Sequence, residues 1–243
     1  MLCASPPMPA VQTLTLTPAP GVRLVADHLP GRRPGVVYLH GLTSVRRGEK
    51  SEAVFARARA RGMEAWRFDM RGHGESSGTL STTTLTDLVD DTTAVLRDIG
   101  PAFLFGSSLG GLVAAWTTTG RPQAVAGLLL LAPALRFLPR LRARLDDSGR
   151  LTLPHGGGVL EFGPEVLADF ESHDESLLGP SLSCPVLCVH GALDDTVPVD
   201  CSRDLLARIP HRRKKLVVFD EGDHRLNREI GTILDEADRF FAW

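Results

Sequence analysis

Residues 102–111 read AFLFGSSLGG, an apolar stretch that ends in a serine held between glycines. The apolar residues predict a short buried strand, and the small residues from about Leu112 onward predict a helix. A sharp turn from strand to helix holds a serine in a strained conformation and pushes its hydroxyl outward. We therefore predict that Ser108 is a nucleophile. We also expect side chains at Gly106 and Gly110 to collide with neighbouring backbone.

A second G-x-S-x-G pattern occurs at residues 74–78, which read GESSG, and offers Ser76 as a competing nucleophile. This pattern follows an Arg-Gly-His tripeptide rather than the end of an apolar strand. The residues after it, 79–84, are β-branched and turn-like, so they do not begin a tight helix. The sequence therefore favours Ser108 over Ser76.

Short apolar runs alternate with helix-like segments along most of the chain. Alternating residues near the N-terminus predict a hairpin of residues 13–17 and 22–27. Further strands are predicted at residues 35–40, 64–69, 102–105, 126–131, 185–190 and 215–219. This order implies an α/β fold with a mainly parallel sheet flanked by helices. Ligands bind beyond the carboxyl ends of such strands, so the residues just after each strand are candidates for function.

The alternation is interrupted between Pro133 and Pro185. This stretch has a basic part at 136–150, an extended part at 151–153, a glycine turn at 156–158 and a helix from Pro164. Loops of this length in compact domains usually form a lid or bind a ligand. We predict a single domain over residues 1–243, with a cap inserted at about residues 134–183. An ordinary surface excursion is the alternative.

A nucleophilic serine needs a histidine to accept its proton and a carboxylate to orient that histidine. In folds with this kind of serine turn, the acid and then the histidine follow in later loops. His224 comes after the last predicted strand and is the predicted general base. Asp194 and Asp195 both come after the preceding strand. Because they are adjacent, only one can easily point at the site, and both stay candidates for the acid.

The tetrahedral intermediate of acyl transfer needs two N–H donors at its oxyanion. Leu109, the residue after the nucleophile, is one predicted donor. Leu42, in the loop after the first parallel strand, is the other. Two histidines that end strands, His40 and His190, are predicted to be structural, and Cys188 within an apolar run is predicted to be a packing residue.

Composition excludes several classes of function. The 27 Lys and Arg residues nearly balance the 29 Asp and Glu residues, so no overall field favours nucleic acid. The longest apolar stretch, 125–134, is shorter than the roughly 20 residues that a membrane span needs. The four cysteines lack paired C-x-x-C spacing, so no zinc site is predicted. Residues 1–11 have no signal-peptide pattern, which predicts a cytoplasmic location. No oligomeric state is predicted.

Five motifs together resemble those of the α/β-hydrolase superfamily, and they occur in that family's order. They are His-Gly at 40–41, DMRGHGES at 69–76, the Ser108 turn, HGALDDTVP at 190–198 and Gly-Asp-His at 222–224. The resemblance implies that Asp194, four residues after His190, is the acid. Residues 223–225, DHR, and 149–152, GRLT, look like the branch containing the mitochondrial depalmitoylase and acyl-glucuronide hydrolase, with its bacterial relatives. The chain is also similar to small-capped feruloyl-type esterases.

The resemblance implies hydrolysis of a carboxylic ester or thioester of a small or acylated substrate. The triad would be Ser108, Asp194 and His224, the reaction would pass through an acyl-enzyme, and no cofactor or metal would be needed. Hydrolysis of lipid esters or of C–C bonds on the same triad is one alternative. A ligand-binding protein without catalysis on the same scaffold is another. Epoxide hydrolases and dehalogenases of this fold are disfavoured because they carry an aspartate in place of Ser108.

Overall fold

The computed structural model describes residues 10–155 and 158–243. The glycine turn predicted at residues 156–158 falls largely outside these ranges, and so do most of the N-terminal residues on which the predicted location rests. In the part of the chain that is described, no helix is long and apolar enough to cross a membrane.

A mainly parallel sheet forms the centre of the molecule. The strands in the described ranges are β1 (Gln12–Leu16), β2 (Leu24–Leu29), β3 (Arg32–Leu39), β4 (Met63–Phe68), β5 (Ala102–Ser107), β6 (Val125–Leu131), β7 (Leu151–His155), β8 (Gly158–Phe162), β9 (Val186–Gly191) and β10 (Lys214–Phe219). Eight of them form one sheet in the order β1-β2-β4-β3-β5-β6-β9-β10, while β7 and β8 form a separate antiparallel pair. β1 and β2 pair antiparallel, as does β2 with β4, and the other neighbours in the large sheet are parallel. The predicted fold class is confirmed.

Helices cover both faces of the sheet. They are α1 (Glu49–Ala60), α2 (Leu85–Ile99), α3 (Leu109–Gly120), α4 (Phe137–Leu141), α5 (Pro164–Ser172), α6 (Leu178–Ser181), α7 (Val199–Arg208) and α8 (Ile230–Phe241). Because successive strand residues point to opposite faces, the apolar run of β3 supplies both halves of the core. Val37 and Leu39 belong to the cluster that contains α2, α3 and α7, whereas Val36 and Tyr38 belong to the cluster that contains α1 and α8.

Residues 134–183, which we call the intervening segment, leave the sheet after β6 and return to it at β9. These two strands are parallel neighbours, and Leu131 of β6 is paired with Val189 of β9. The segment has its own apolar cluster, composed of Leu138, Leu151, Phe162, Val166 and Leu167. The helix predicted from Pro164 and the extended stretch at 151–153 are confirmed as α5 and β7. That this segment is a cap stays a prediction.

Candidate active site

Ser108 lies in the turn between β5 and α3 with φ 51° and ψ −115°. This left-handed φ is strained for a residue with a side chain, as the sequence predicts. A Cβ at Gly106 would collide with the carbonyl oxygen of Gly110, and one at Gly110 would collide with that of Leu39, which confirms the predicted need for glycine. The predicted helix start near residue 112 is wrong. α3 begins at Leu109, because the glycines after the serine belong to its first turn.

The structure brings Ser108, His224 and Asp194 together. His224, after β10, places Nε2 3.0 Å from Ser108 Oγ and Nδ1 2.7 Å from Asp194 Oδ2. The carboxylate is fully buried, and the histidine ring is 20% exposed. Asp195 is exposed and accepts a hydrogen bond from Thr196 Oγ1 at 3.1 Å. Of the two candidate acids, the structure therefore places Asp194 beside the histidine. The catalytic roles of these residues stay predictions.

Both oxygens of the Asp194 carboxylate have several donors. Oδ1 accepts from the backbone N–H groups of Thr196 at 2.9 Å and Val197 at 2.7 Å. Oδ2 lies 3.0 Å from His190 Nε2 and 2.7 Å from His224 Nδ1. Burial alone would raise the pKa of Asp194, but hydrogen bonds from His190, His224 and Val197 outweigh it and hold that pKa well below its usual range. An ionised carboxylate thus faces the histidine Nδ1.

His190 is buried and touches the predicted acid, a contact that the sequence analysis missed. Its Nε2 lies 2.8 Å from the carbonyl oxygen of Val197 and 3.0 Å from Asp194 Oδ2, two acceptors that require a proton on Nε2. Its Nδ1 lies 2.8 Å from Ser202 Oγ, to which the Cys188 thiol donates at 3.2 Å. Burial raises the pKa of Cys188 to about 12, so the thiol stays protonated. The four-residue spacing from histidine to aspartate was the available signal.

The two predicted oxyanion donors lie on either side of Ser108. Leu109 is the first residue of α3, and the first N–H groups of a helix have no acceptor within it. Leu42 follows β3, in the loop of residues 41–48, and contacts the same cavities as Ser108. The loop backbone comes close to the nucleophile, since a Cβ at Gly41 would lie 3.4 Å from Ser108 Cβ. The donor roles of Leu42 and Leu109 stay predictions.

A buried ionic cluster braces the loop of residues 41–48. The backbone N–H of Arg46 donates to Asp69 Oδ1 at 2.6 Å, and its guanidinium donates to Asp69 Oδ2 and, at 2.6 Å, to Glu75. Both Arg46 and Asp69 are buried. Ser76, the rejected nucleophile, donates to the carbonyl oxygen of Asp69 at 2.6 Å and accepts from the N–H of Val25 at 2.9 Å. The motif at residues 69–76 thus ties this loop to the sheet.

We expect Asp69→Asn to lower the free energy of unfolding by about 3 kcal/mol, because it removes a buried carboxylate that is paired with the buried Arg46 guanidinium. Glu75 and the more distant Asp27 are then the charge partners left to that guanidinium. Urea denaturation measures this change. Asp90→Asn is the matched control, since Asp90 is exposed, and we expect it to change stability by less than about 0.5 kcal/mol. Equal stabilities for the two variants would show that the cluster does not stabilise the fold.

Two cavities of different character meet at Ser108. The first, which we call the apolar cavity, has a volume of about 400 Å³. Side chains of the intervening segment form most of its lining, among them Phe137, Leu141, Leu160, Phe162, Leu167 and Phe170. The second, the polar cavity, has a volume of about 700 Å³. Its lining includes Ser44, Glu49, Lys50, Asp223, Arg225 and Asn227. His224 lines both cavities, so the predicted reacting atoms lie where the two environments meet.

A serine turn beyond the carboxyl ends of a mainly parallel sheet defines the class of protein: it is an enzyme of the serine hydrolase class with the α/β-hydrolase fold. A family model described as "Serine aminopeptidase, S33" matches residues 31–153, just over half of the chain. The chain therefore belongs to this family.

Two similar proteins support the same family assignment. Mouse "Palmitoyl-protein thioesterase ABHD10, mitochondrial" is 29% identical over 219 residues, which cover 85% of this chain and 74% of the relative. Rat monoglyceride lipase is 23% identical over 209 residues, covering 70% of this chain and 68% of the lipase. The predicted resemblance to the α/β-hydrolase superfamily and to its depalmitoylase branch is confirmed.

Two solved structures show how far the fold is shared. Mouse α/β hydrolase domain-containing protein 10 superposes with a TM-score of 0.83 at 29% identity, covering 94% of this chain and 99% of that one. Est1E from Butyrivibrio proteoclasticus, with ferulic acid bound, superposes with a TM-score of 0.81 at 20% identity, covering 95% of this chain and 100% of that one. At that lower identity, the likeness to Est1E concerns the fold alone.

Proposed function

We propose that the protein hydrolyses a carboxylic ester or thioester with an apolar acyl group and a polar leaving group, through an acyl-enzyme on Ser108. The observation that carries this proposal is the hydrogen-bonded line from Asp194 Oδ2 through His224 to Ser108 Oγ, with distances of 2.7 and 3.0 Å. The names of two relatives, a palmitoyl-protein thioesterase and a monoglyceride lipase, support cleavage of an acyl bond.

Acylation begins when Ser108 Oγ attacks the carbonyl carbon and its proton passes to His224 Nε2. Asp194 holds the Nδ1–H of the ring and stabilises the positive charge that forms on it. The N–H groups of Leu42 and Leu109 stabilise the oxyanion. When the intermediate collapses, the bond to the leaving oxygen or sulfur breaks, and His224 returns the proton to that atom. The acyl group stays on Ser108 Oγ.

Deacylation repeats these steps with water. His224 Nε2 takes a proton from the water as its oxygen attacks the acyl carbon, and the second tetrahedral intermediate forms at the same donors. Ser108 Oγ then leaves as its bond to the acyl carbon breaks, and it receives the proton from His224. The carboxylic acid departs and the free enzyme is restored.

In this proposal, each of the two cavities binds one part of the substrate. An acyl chain gains free energy by leaving water, so it occupies the apolar cavity under the intervening segment. A polar leaving group finds hydrogen-bonding partners in the other cavity, where Lys50 Nζ already donates to Asn227 Oδ1 at 3.2 Å. In this proposal the intervening segment is the cap that the sequence predicts, within a single domain.

Labelling with a fluorophosphonate tests this proposal. In that reaction a bond forms between Ser108 Oγ and phosphorus, the P–F bond breaks, and His224 takes the serine proton. We expect mass mapping to find the tag on Ser108 in the wild type, and to find none in Ser108→Ala or in His224→Ala. Ser76→Ala is the control for the rejected motif and should keep the tag. Folded wild-type protein that takes no tag would favour the ligand-binding alternative.

The cytoplasmic location stays a prediction from the sequence. The name of the mouse relative places that protein in mitochondria, so the two compartments are the alternatives to compare. Fractionation of the source cells, with detection of the native chain, distinguishes them.

A further inference from the structure

A third cavity, which we call the outer cavity, adjoins the apolar cavity and has a volume of about 270 Å³. Four apolar residues line both cavities: Leu112 of α3, Phe137 and Leu138 of α4, and Phe170 of α5. We call these four residues the shared wall. Because each of them contacts both spaces, their side chains form the partition between the apolar and outer cavities.

Two phenylalanines make up the less buried part of the shared wall. Leu112 and Leu138 are buried, with 2% and 8% of their surface exposed. Phe137 and Phe170 are only partly buried, and both pack against the core cluster beside α3 as well as against the cluster of the intervening segment. Their rings therefore fill the junction between the two clusters. Truncating either ring opens part of the partition between the two cavities without removing a strand or a helix.

Beyond the shared wall the surroundings become polar. Trp116 of α3 lines the outer cavity, and its ring packs edge-on against that of His173 with centroids 5.1 Å apart. Charged side chains surround the remainder, including Arg142 and Glu171, which form an ion pair at 2.9 Å. A chain that crossed the wall would lie beside Trp116 and end near these charges.

We propose that the shared wall sets the longest acyl chain that the enzyme accepts, with Phe137 and Phe170 as the specificity-determining residues. This inference rests on the proposed function, in which the acyl group occupies the apolar cavity. Each methylene buried there raises kcat/KM by about fourfold, and the gain ends where the chain meets the rings. Removing a ring joins the outer cavity to the apolar one, and longer chains then fit.

A series of p-nitrophenyl esters from acetyl through butyryl, octanoyl and lauroyl to palmitoyl tests the inference. We expect Phe170→Ala and Phe137→Ala to raise the ratio of palmitoyl to octanoyl kcat/KM by at least about fifteenfold, the gain from two or more further buried methylenes. Phe162→Ala is the matched control. Phe162 lines the apolar cavity without lining the outer one, so its truncation removes the same atoms and leaves the partition in place.

A binding measurement in the Ser108→Ala background gives a readout that does not need turnover. Trp116 is one of three tryptophans, and it lies in the outer cavity. With Phe170→Ala added, we expect titration with palmitate to change the tryptophan fluorescence, whereas octanoate leaves it unchanged. The same titration with Phe162→Ala should show no change. A further Trp116→Phe substitution should remove the signal.

The outcomes separate the inference from the function on which it rests. Suppose that ester hydrolysis depends on Ser108 but the chain-length ratios are the same in the wild type and in both folded wall variants. That result overturns the proposed role of the shared wall and leaves the proposed function standing. Wild-type protein that hydrolyses neither these esters nor the matching acyl thioesters overturns the proposed function. In that case the fluorescence titration tests the proposed role of the shared wall, and equal signals from Phe170→Ala and Phe162→Ala overturn that role. If an alanine variant does not fold, Phe170→Leu replaces it in both measurements.

Discussion

Ser108→Ala is expected to abolish ester hydrolysis, with kcat falling on the order of a million-fold. The substitution removes the oxygen that lies 3.0 Å from His224 Nε2. The backbone of residue 108 keeps its own hydrogen bonds, since its N–H donates to the carbonyl oxygen of Leu131 and its carbonyl accepts from Leu112 and Ala134. The fold should therefore persist. Steady-state kinetics and a thermal unfolding curve measure the two effects together.

Ser107→Ala is the control for Ser108→Ala, because it removes a neighbouring hydroxyl from a buried strand residue and leaves the histidine contact intact. We expect it to retain most of the turnover. If instead Ser108→Ala retained substantial hydrolysis while folded, another group would have to be the nucleophile, and the pattern at residues 74–78 would return as the first candidate.

Asp194→Asn is expected to lower kcat by about ten-thousand-fold. The N–H groups of Thr196 and Val197 donate to Oδ1, so the side-chain oxygen of an asparagine would occupy that position. Its NH₂ group would then replace Oδ2 and face His224 Nδ1. A donor there favours the ring tautomer with its proton on Nε2, which cannot accept the serine proton.

Asp195→Asn provides the matched control for Asp194→Asn. Its carboxylate is exposed and bonds to the hydroxyl of Thr196, so we expect little change in kcat. The pH dependence of kcat/KM for both variants, compared with the wild type, separates loss of the base from loss of stability. A larger loss from Asp195→Asn would reverse the assignment of the acid.

The parts of this protein that sequence reasoning predicted correctly are those with local causes. An apolar run followed by a serine between glycines specifies β5, the strained turn and α3 within a few residues, and β3, β6, β9 and β10 likewise each contain an apolar run. The helix α4 was missed because it has only five residues and contains Pro139. The strand β8 was missed because its partner β7, rather than its own short pattern, stabilises it.

The parts of the site that were not predicted depend on which side chains the folded loops bring into contact. Asp194 and Asp195 have the same chemistry and adjacent positions, and only the family resemblance separated them. In the structure, the backbone of residues 196–197 fixes which carboxylate turns inward. The contact of His190 with that carboxylate arises because the loop after β9 folds back over the strand end. Such a contact cannot be read from the sequence alone.

The intervening segment begins and ends on β6 and β9, which lie side by side in the sheet. Its two ends are therefore anchored at neighbouring strands beside Ser108, and its length and sequence can change without disturbing any strand pairing of the eight-stranded sheet. Ser108, Asp194 and His224 all lie outside it. Related enzymes can therefore change their substrate preference by sequence changes in this segment alone, while Ser108, Asp194 and His224 stay the same.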